Sequence, residues 1–343
     1  MKAEKASGLL AVVTVLVMVA YVGNGIYGGS RAAQPEETLE TTVPETTAEG
    51  TTIPETTQPV TQTEPQPEAL LTAALEETML GMDGRHIFVY DVSSGKMLCS
   101  KTGEGDKLYP ASITKLYTAW LALQYLQPDT VVTAGEELTM VGSGSSLAYI
   151  SRGCRLTVDM LVEAMLLPSG NDAAYVLAAA AGRAIAGDET IGAGLAVQRF
   201  VQEMNGEAER QGFLNSRFTN PDGYHTGGHY SCPADLAAIG LLALENETIR
   251  KYAGLEADSV TYASGEKITW YNTNRMVNRG TEQYCADAIG LKTGYTGEAG
   301  YCLLAAFDDG ERQILVGIFG AEKNYPRYEN AAALWQCCGQ IEN

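Results

Sequence analysis

The strand-like segments after residue 67 lie near the two ends of the sequence, with a long helical stretch between them. Near the start, His86–Asp91 and Lys96–Cys99 are short segments separated by a Ser-Gly turn, a pattern that predicts a β-hairpin. Near the end, Ala288–Thr293, Tyr301–Phe307 and Gln313–Phe319 are apolar segments joined by turn residues. The pattern predicts an α+β fold, in which one antiparallel sheet is assembled from distant segments and carries an inserted helical lobe.

Helices are predicted wherever apolar residues recur with helical spacing. The predicted helices are Glu68–Leu80, Ser112–Gln127, Val158–Leu167, Asn171–Ala186, Gly194–Gln211, Pro233–Leu244 and Tyr325–Cys338. The first and last of these would flank the sheet, and those between them would form the lobe.

Residues 1–30 are interpreted as an N-terminal membrane anchor or signal segment. The stretch Ala6–Ser30 carries no charge, and Lys2 and Lys5 precede it. An apolar segment of about 20 residues can span a bilayer, and preceding lysines favour a cytoplasmic N-terminus. The alternative is a signal peptide that is cleaved. Both interpretations predict an extracytoplasmic protein.

Residues 31–67 are interpreted as a disordered stalk between this segment and a single domain over residues 68–343. The stalk holds eleven Thr, seven Glu and six Pro, and a seven-residue pattern at 41–47 recurs at 51–57. Such a composition has too few apolar residues to form a core. The stalk would hold the domain away from a membrane.

The charge balance excludes several classes of partner. The chain has 23 Lys and Arg against 42 Asp and Glu, a formal net charge of −19. Nucleic-acid binding requires a basic surface, as does docking on anionic lipid through a polybasic patch. The sequence also lacks the zinc-binding and nucleotide-binding motifs. We therefore expect no metal and no cofactor.

Three short motifs suggest nucleophilic chemistry. Ser112 and Lys115 form an S-x-x-K at the start of a predicted helix, and this spacing puts hydroxyl and amine on one helix face. A lysine can serve as base for a serine when burial or a nearby cation lowers its pKa. The same pattern at residues 93–96 and 264–267 falls in a hairpin and a polar loop. Only the first copy therefore has the required helical context.

The other two motifs follow in order along the chain. Ser169 and Asn171 form the only S-x-N, in the break between two predicted helices. Taken alone, this motif is typical of a helix N-cap. Lys292-Thr293-Gly294 ends a predicted strand, where an extended peptide could pair with the strand edge.

With this order of motifs, the chain resembles the serine D-alanyl-D-alanine carboxypeptidases among the low-molecular-mass penicillin-binding proteins. The resemblance extends beyond the triplets to three longer blocks and covers about residues 85–338. The blocks are residues 109–115, residues 220–237 and residues 290–303. The fold that it implies is the penicillin-binding transpeptidase or β-lactamase-like fold.

The resemblance implies a mechanism for cleaving peptidoglycan stem peptides. Ser112 would attack the carbonyl between two D-alanines, and Lys115 would accept its proton. The backbone N–H groups of Ser112 and Tyr295 would form an oxyanion hole. Ser169 would pass a proton to the leaving D-alanine, and Asn171 would hold the peptide and Lys115.

The same resemblance assigns a binding site for the terminal carboxylate. Lys292 and Thr293 would hold that carboxylate, and Gly294 would allow close approach of the peptide backbone. Arg275, with Arg279 as the alternative, is the candidate for the arginine that binds the carboxylate in relatives. β-Lactams resemble the D-Ala-D-Ala end and should acylate Ser112.

Other functions remain open on the same scaffold. A serine β-lactamase shares two of the motifs, but class A enzymes also need a deacylating glutamate, and no E-x-x-L-N segment follows Ser169. A second alternative is a non-catalytic sensor of β-lactams or peptidoglycan. Such a sensor would not need to keep Ser112, Lys115 and Lys292 together, and all three are present. Endopeptidase and transpeptidase activities use the same peptides.

Two weaker expectations concern His229 and the cysteines. His229 is predicted to brace a loop rather than to catalyse. The seven cysteines are an odd number, so at least one of them must be unpaired. An exported protein rich in free thiols would fit a reducing habitat.

Overall fold

The computed structural model describes residues 67–340, which form helices and strands in a mixed order. The α-helices are α1 Pro67–Met79, α2 Thr114–Tyr125, α3 Val158–Leu166, α4 Asn171–Ala186, α5 Ala193–Gln211, α6 Pro233–Glu245, α7 Glu247–Ala253 and α8 Pro326–Gln340. The strands are β1 His86–Asp91, β2 Lys96–Ser100, β3 Val131–Thr133, β4 Arg155–Thr157, β5 Ala257–Thr261, β6 Lys267–Tyr271, β7 Ala288–Thr296, β8 Gly300–Asp308 and β9 Gln313–Ala321. Single 3-10 turns occur at Ala111–Ile113, Glu136–Met140 and Arg275–Val277.

The central sheet joins the two ends of the described chain, as the strand pattern predicts. Its order is β2-β1-β9-β8-β7, and every neighbouring pair is antiparallel. β9 therefore lies between β1 from the beginning and β8 from the end. β7 is an edge strand of this sheet, and it carries the Lys-Thr-Gly motif.

The two faces of the sheet bury different residues of the same strands, because successive side chains of a strand point to opposite faces. In β8, Leu303, Ala305 and Phe307 pack with side chains of α1 and α8. Leu304 and Ala306 belong instead to the larger core beneath the helical lobe. The molecule thus has terminal helices, sheet and lobe as successive layers.

Several predicted boundaries move by a few residues, and two of these changes lie at the site. The helix predicted from Ser112 begins at Thr114, because Ala111–Ile113 forms a tight 3-10 turn and Ala111 has a φ of +48°. The predicted strand Ala288–Thr293 continues to Thr296, which shortens the following turn. The sequence prediction does not contain the antiparallel strand pair β3–β4, the hairpin β5–β6 or the short helix α7.

The predicted N-terminal segments fall outside the described part of the chain. Residues 1–30, and residues 31–67 apart from Pro67 at the start of α1, are not among the described residues. Within residues 67–340, no helix has both the length and the apolar character needed to cross a bilayer. The division into segment, stalk and domain therefore stays a prediction.

Candidate active site

Ser112 lies in the 3-10 turn that leads into α2 and faces the edge strand β7. The residue before it, Ala111, is held in the left-handed region at φ +48°. Gly223 is packed so closely that a Cβ there would lie 1.9 Å from the Ala111 carbonyl oxygen. A Cβ at Gly294 would lie 3.0 Å from the Ser112 nitrogen. The two glycines therefore let the middle block and β7 approach the backbone around Ser112.

Lys115 is fully buried one helical turn after Ser112. Its Nζ donates to Ser112 Oγ at 2.8 Å and to the Asp222 carbonyl oxygen at 2.7 Å. Burial lowers the pKa of Lys115 to about 8, although the charges of Asp222 and Asp172 oppose the shift. A neutral amine beside the hydroxyl is the arrangement that a general base requires.

Of the two causes that the sequence analysis allows for a lowered lysine pKa, burial is the one that acts on Lys115. The nearby cation Lys292 is not among the causes of the Lys115 shift. For Lys292, burial is again the largest cause, and the positive charges of Lys115 and Arg327 lower its pKa further. The positive charge of one lysine therefore lowers the pKa of the other only at Lys292.

Ser169 and Asn171 occupy the bend between α3 and α4. Both are 5% exposed, and Ser169 has a φ of +63°. The Asn171 side-chain amide donates to Ser145 Oγ at 2.8 Å, and no hydrogen bond joins it to Lys115 among the described residues. The structure thus shows a contact from Asn171 to Ser145 in place of the expected one to Lys115, whose contacts go to Ser112 and Asp222.

The loop that carries Ser145 is a part of the site that the sequence analysis missed. Asp172, at the start of α4, is almost fully buried. Its carboxylate accepts from the backbone N–H of Ala148 at 2.8 Å and of Ile150 at 2.9 Å. The loop has no sequence motif of its own. A buried aspartate directly after the S-x-N nevertheless needs hydrogen-bond donors for its carboxylate, and this requirement is the signal that could have indicated the loop.

Lys292 and Thr293 lie on β7 with their side chains almost fully buried. Lys292 Nζ donates to the Thr293 carbonyl oxygen at 3.0 Å and to Thr273 Oγ1 at 3.5 Å. The hydroxyls of Thr273 and Thr293 are 2.7 Å apart. Thr273 also donates its backbone N–H to the Leu167 carbonyl oxygen, just before the S-x-N bend. It therefore links the second and third motifs, and the sequence analysis missed it.

The structure corrects the choice of arginine. Arg275 donates to Gln283 at 2.6 Å and lies over the Tyr325 ring, so its guanidinium does not line the cleft beside Ser112. The alternative, Arg279, is also absent from the lining. Arg327, on α8, lines the cleft instead.

Arg327 is held by the backbone next to the third motif. It is 6% exposed, and its Nη1 donates to the carbonyl oxygens of Gly294 at 3.0 Å and Cys302 at 2.8 Å. Its Nε has no partner among the described residues. A local motif could not identify it, because packing of α8 across the sheet brings it to the site.

The cleft around these residues has a volume of about 600 Å³. Its lining is mostly hydroxyls, amides and tyrosines, with Glu298 as its acidic side chain and Arg327 and His225 as its basic ones. The lining residues are Ser112, Ser143, Gly144, Ser145, Ser146, Ser169, Asn171, Gly223, Tyr224, His225, Thr273, Thr293, Gly294, Tyr295, Thr296, Gly297, Glu298, Tyr301, Asn324 and Arg327. A larger groove of about 1160 Å³ runs along α5 and contains none of the predicted site residues.

His229 supports the turn that holds Ser112. It is buried, its Nδ1 accepts from the Thr219 backbone N–H, and its Nε2 lies 2.9 Å from Thr114 Oγ1. Thr114 Oγ1 donates to the Ala111 carbonyl oxygen at 2.8 Å. Burial lowers the pKa of His229 to about 3, so the ring is neutral near pH 7. Its position is that of a brace.

The side chains that could bind a metal ion do not cluster in the described part of the chain. Among the described residues, no group of three or more His, Cys, Asp and Glu side chains could hold a metal ion. All seven cysteines lie within residues 67–340 and are free thiols, and all except Cys285 are buried.

Comparison with known proteins supplies a family and solved relatives. The S11 peptidase family, described as D-alanyl-D-alanine carboxypeptidase, matches residues 73–323. D-alanyl-D-alanine carboxypeptidase DacF of Bacillus subtilis is 30% identical over 255 residues, which cover 74% of this chain and 60% of DacF. A D-alanyl-D-alanine carboxypeptidase of Streptomyces sp. strain K15 is 32% identical over 270 residues, which cover 76% of this chain and 87% of that protein.

Among solved structures, a serine-to-alanine mutant of the Streptomyces K15 DD-transpeptidase aligns with a TM-score of 0.68 at 27% identity. The alignment covers 76% of this chain and 99% of the transpeptidase. The predicted α+β fold of the penicillin-binding type is therefore confirmed. The chain spans 60% of the length of DacF and of DacC from Escherichia coli.

Proposed function

Because the chain belongs to the D-alanyl-D-alanine carboxypeptidase family of S11 peptidases, as its motifs predict, we propose that it removes the terminal D-alanine from peptidoglycan stem peptides. One observation carries this proposal more than any other. Ser112 Oγ lies 2.8 Å from the Nζ of a buried lysine whose pKa is about 8. This pair can generate a serine nucleophile without histidine.

In the proposed reaction, neutral Lys115 accepts the Ser112 proton as Oγ attacks the carbonyl carbon of the penultimate D-alanine. Negative charge then develops on the carbonyl oxygen, where the backbone N–H groups of Ser112 and Tyr295 would stabilise it. The close approach at Gly294 supports this placement, because it brings β7 against the Ser112 nitrogen.

The C–N bond then breaks, and the departing amine takes a proton. Ser169 would relay that proton from Lys115, and its position in the lining of the same cleft supports this role. Asn171 would orient the peptide. Water then attacks the ester on Ser112 and releases the shortened peptide.

The carboxylate of the substrate would bind at the basic end of the cleft. Thr293 offers a hydroxyl, and the guanidinium of Arg327, held by two backbone carbonyls and Tyr328, also lines the cleft and supplies positive charge. Lys292 is buried next to Thr293. This arrangement favours a peptide whose carboxylate lies directly after the scissile bond.

We also propose that β-lactams acylate Ser112, because they present a reactive carbonyl and a carboxylate in the same relation. The β-lactamase alternative is less well supported. Glu298 is the only acidic side chain in the lining, and it lies on the β7–β8 turn. A carboxylate placed to activate water for deacylation is therefore absent from the described lining.

The decisive experiment measures D-alanine release from diacetyl-Lys-D-Ala-D-Ala by the full chain and by two serine variants. Wild type should release D-alanine, and Ser112→Ala should release none. Ser93→Ala alters the S-x-x-K of the β1–β2 hairpin and is the matched control, so it should behave like wild type. Absence of release by folded wild type would overturn the proposal, and rapid turnover of penicillin would then indicate a β-lactamase.

The same assay distinguishes the related activities on these peptides. Addition of an amine acceptor such as glycine would yield a new peptide bond if transpeptidation competes with hydrolysis. A cross-linked dimer as substrate would report endopeptidase activity.

We propose that residues 1–30 keep the enzyme on the outer side of a membrane, with residues 31–67 as the spacer. The uncharged stretch Ala6–Ser30 after Lys2 and Lys5 supports this proposal. Cell fractionation should find the full chain with membranes and a chain starting at residue 68 in the soluble fraction. Equal distribution of the two chains would contradict the proposal, and loss of residues 1–30 from the mature protein would favour secretion.

A further inference from the structure

The acidic end of the cleft has no assigned role in the reaction. Glu298 is exposed, and its carboxylate forms no ion pair with any residue of the described chain. A cationic side chain contacts the backbone of this residue instead, since Arg85 donates to the Glu298 carbonyl oxygen at 2.9 Å. The carboxylate is therefore available to a ligand.

The turn that carries Glu298 is held in place. Arg85 also reaches the Ala299 carbonyl oxygen, and the Ala299 backbone N–H donates to Thr296 Oγ1 at 3.0 Å. Ala299 itself is buried. The Glu298 carboxylate thus extends from a fixed turn rather than from a long unsupported loop.

An exposed aromatic ring lines the same cleft. The Tyr295 side chain is 57% exposed, and its ring centroid is 4.5 Å from that of Tyr301. The Arg327 guanidinium already lies over the Tyr301 ring, 5.3 Å from its centroid, so Tyr295 is the ring that remains open to a ligand. A carboxylate and an exposed aromatic face in one cleft are a combination that binds ammonium groups, through charge and through cation–π attraction.

The order of groups along β7 indicates which part of a substrate would reach this end. This step rests on the proposed function: the terminal carboxylate binds at Thr293 and Arg327, and the scissile carbonyl binds at the Tyr295 N–H. The chain that precedes the scissile bond then continues past Tyr295 toward Glu298. The residue before the two D-alanines is therefore the one whose side chain meets Glu298.

We propose that Glu298 and Tyr295 form a specificity subsite for a free side-chain ammonium on the residue that precedes D-Ala-D-Ala. The substrate class is then a stem peptide whose diamino acid is unsubstituted, as in a strand that has not been cross-linked through that amine. A peptide whose side-chain amine is acylated loses the charge and binds less well.

The test compares Nα-acetyl-Lys-D-Ala-D-Ala with Nα,Nε-diacetyl-Lys-D-Ala-D-Ala, which differ in the charge of one amine. Wild type should favour the free amine by about three- to tenfold in kcat/KM, a range typical of a partly exposed ion pair with a cation–π contribution. The preference should lie in KM, because the amine is remote from the reacting atoms. Added salt should reduce it.

Two variants assign the preference to this residue. Glu298→Gln should bring the ratio close to one, and Glu298→Lys should instead favour an Nε-succinyl peptide, whose side chain is anionic. Glu311→Gln removes the same charge from the exposed β8–β9 turn and should keep the wild-type ratio. An unchanged ratio in Glu298→Gln, or equal use of both peptides by wild type, would overturn the inference.

Calorimetric binding of both peptides to Ser112→Ala separates this inference from the proposed function. Release without a preference contradicts the subsite alone. Preferential binding without release by wild type contradicts the carboxypeptidase and supports the subsite. Neither binding nor release contradicts both.

Discussion

The Lys115 amine shows how one buried residue sets the chemistry of its neighbour. Its burial lowers the pKa to about 8, and Asp222 acts in the opposite direction. Asp222 is itself almost fully buried, and its Oδ2 has no partner among the described residues. Because the base must be neutral, acylation should depend on the balance between burial and this carboxylate.

The first prediction is that acylation of Ser112 rises with pH through a midpoint near 8. The lysine accepts a proton only above its pKa, so the rate is low below the midpoint and levels off above it. In Asp222→Asn the midpoint should move to lower pH, because a group that raises the pKa of Lys115 is gone. The pH profile of labelling by a fluorescent penicillin measures both.

The control for this profile is Asp188→Asn, which alters a fully exposed carboxylate in another part of the chain. Its midpoint should match that of wild type. A midpoint that stays near 8 in Asp222→Asn would show that this carboxylate does not act on Lys115.

The second prediction concerns the hydroxyl that holds the turn before Ser112. Thr114→Val removes the donor to Ala111, which adopts an unfavourable φ, and leaves His229 without its partner. Displacement of a nucleophile by about 1 Å can cost about a hundredfold in rate. We expect acylation to slow about ten- to a hundredfold, with the same pH midpoint.

Thr114→Ser keeps the hydroxyl and should recover most of the rate. A parallel thermal melt separates a loss of positioning from a loss of stability. Loss of the buried hydrogen bond should lower the free energy of unfolding of Thr114→Val by about 1–3 kcal/mol, whether or not the nucleophile is displaced. Wild-type acylation by Thr114→Val would contradict a positioning role for this contact.

At this scale the sequence located the chemistry of the site but only part of its surroundings. Six residues were found because short motifs keep them close together in sequence. The structure brings all of them to one cleft or just behind its lining. They are Ser112, Lys115, Ser169, Asn171, Lys292 and Thr293. Arg327 and Ser145 reach the cleft through tertiary packing. No local pattern could have selected Arg327 over Arg275.

At the scale of elements, long periodic segments were predictable and short ones were not. α4 begins and ends at the predicted residues, and the three C-terminal strands were found because their buried residues are continuous. β3 and β4 have three residues each, and β5 is largely exposed. Segments this short, or with so little burial, carry too weak a periodicity to be recognised.

The third prediction concerns the packing of α3 against the β5–β6 hairpin. Glu163 on α3 is 2% exposed, and its Oε1 has no partner among the described residues. Burial, and after it the charges of Asp258 and Asp159, raise its pKa to about 8. The pKa of Glu163 is higher in the folded protein than in the unfolded chain, where it is near 4.5. The stability that this difference contributes is fully present at pH values below 4.5 and is lost as the pH rises through about 8.

Glu163→Gln should therefore gain stability relative to wild type as pH increases from 5 to 8, by up to about 1.4 kcal/mol per pH unit. Urea unfolding at several pH values measures the difference. Glu189→Gln, on the exposed segment between α4 and α5, should show no such trend. A constant difference between Glu163→Gln and wild type would contradict the raised pKa.

At the scale of the whole molecule, the thiols are protected by the fold. Burial raises the pKa of Cys99 and Cys302 to about 11, and of Cys232 and Cys338 to about 12. A thiol reacts as its thiolate, so a high pKa and burial both slow alkylation. Cys285 is the only half-buried thiol among the described residues.

The fourth prediction is that iodoacetamide modifies about one thiol per native molecule, at Cys285, and all seven after denaturation without reductant. Mass spectrometry counts the modified sites. Cys285→Ser should abolish the native reaction, and Cys337→Ser should leave it unchanged. Failure of most thiols to react after denaturation would indicate disulfides in the isolated protein.

The position of β9 between β1 and β8 also has a consequence for the order of events during synthesis. β1 has no sheet partner on that side until residues 313–321 have emerged, so the β1–β2 hairpin must wait for β9, the last of the described strands. Contacts so distant in sequence are slow to form. A nascent chain that already contains all three motifs therefore still lacks the sheet that aligns them, and the nucleophile is assembled only after residues 313–321 have been made.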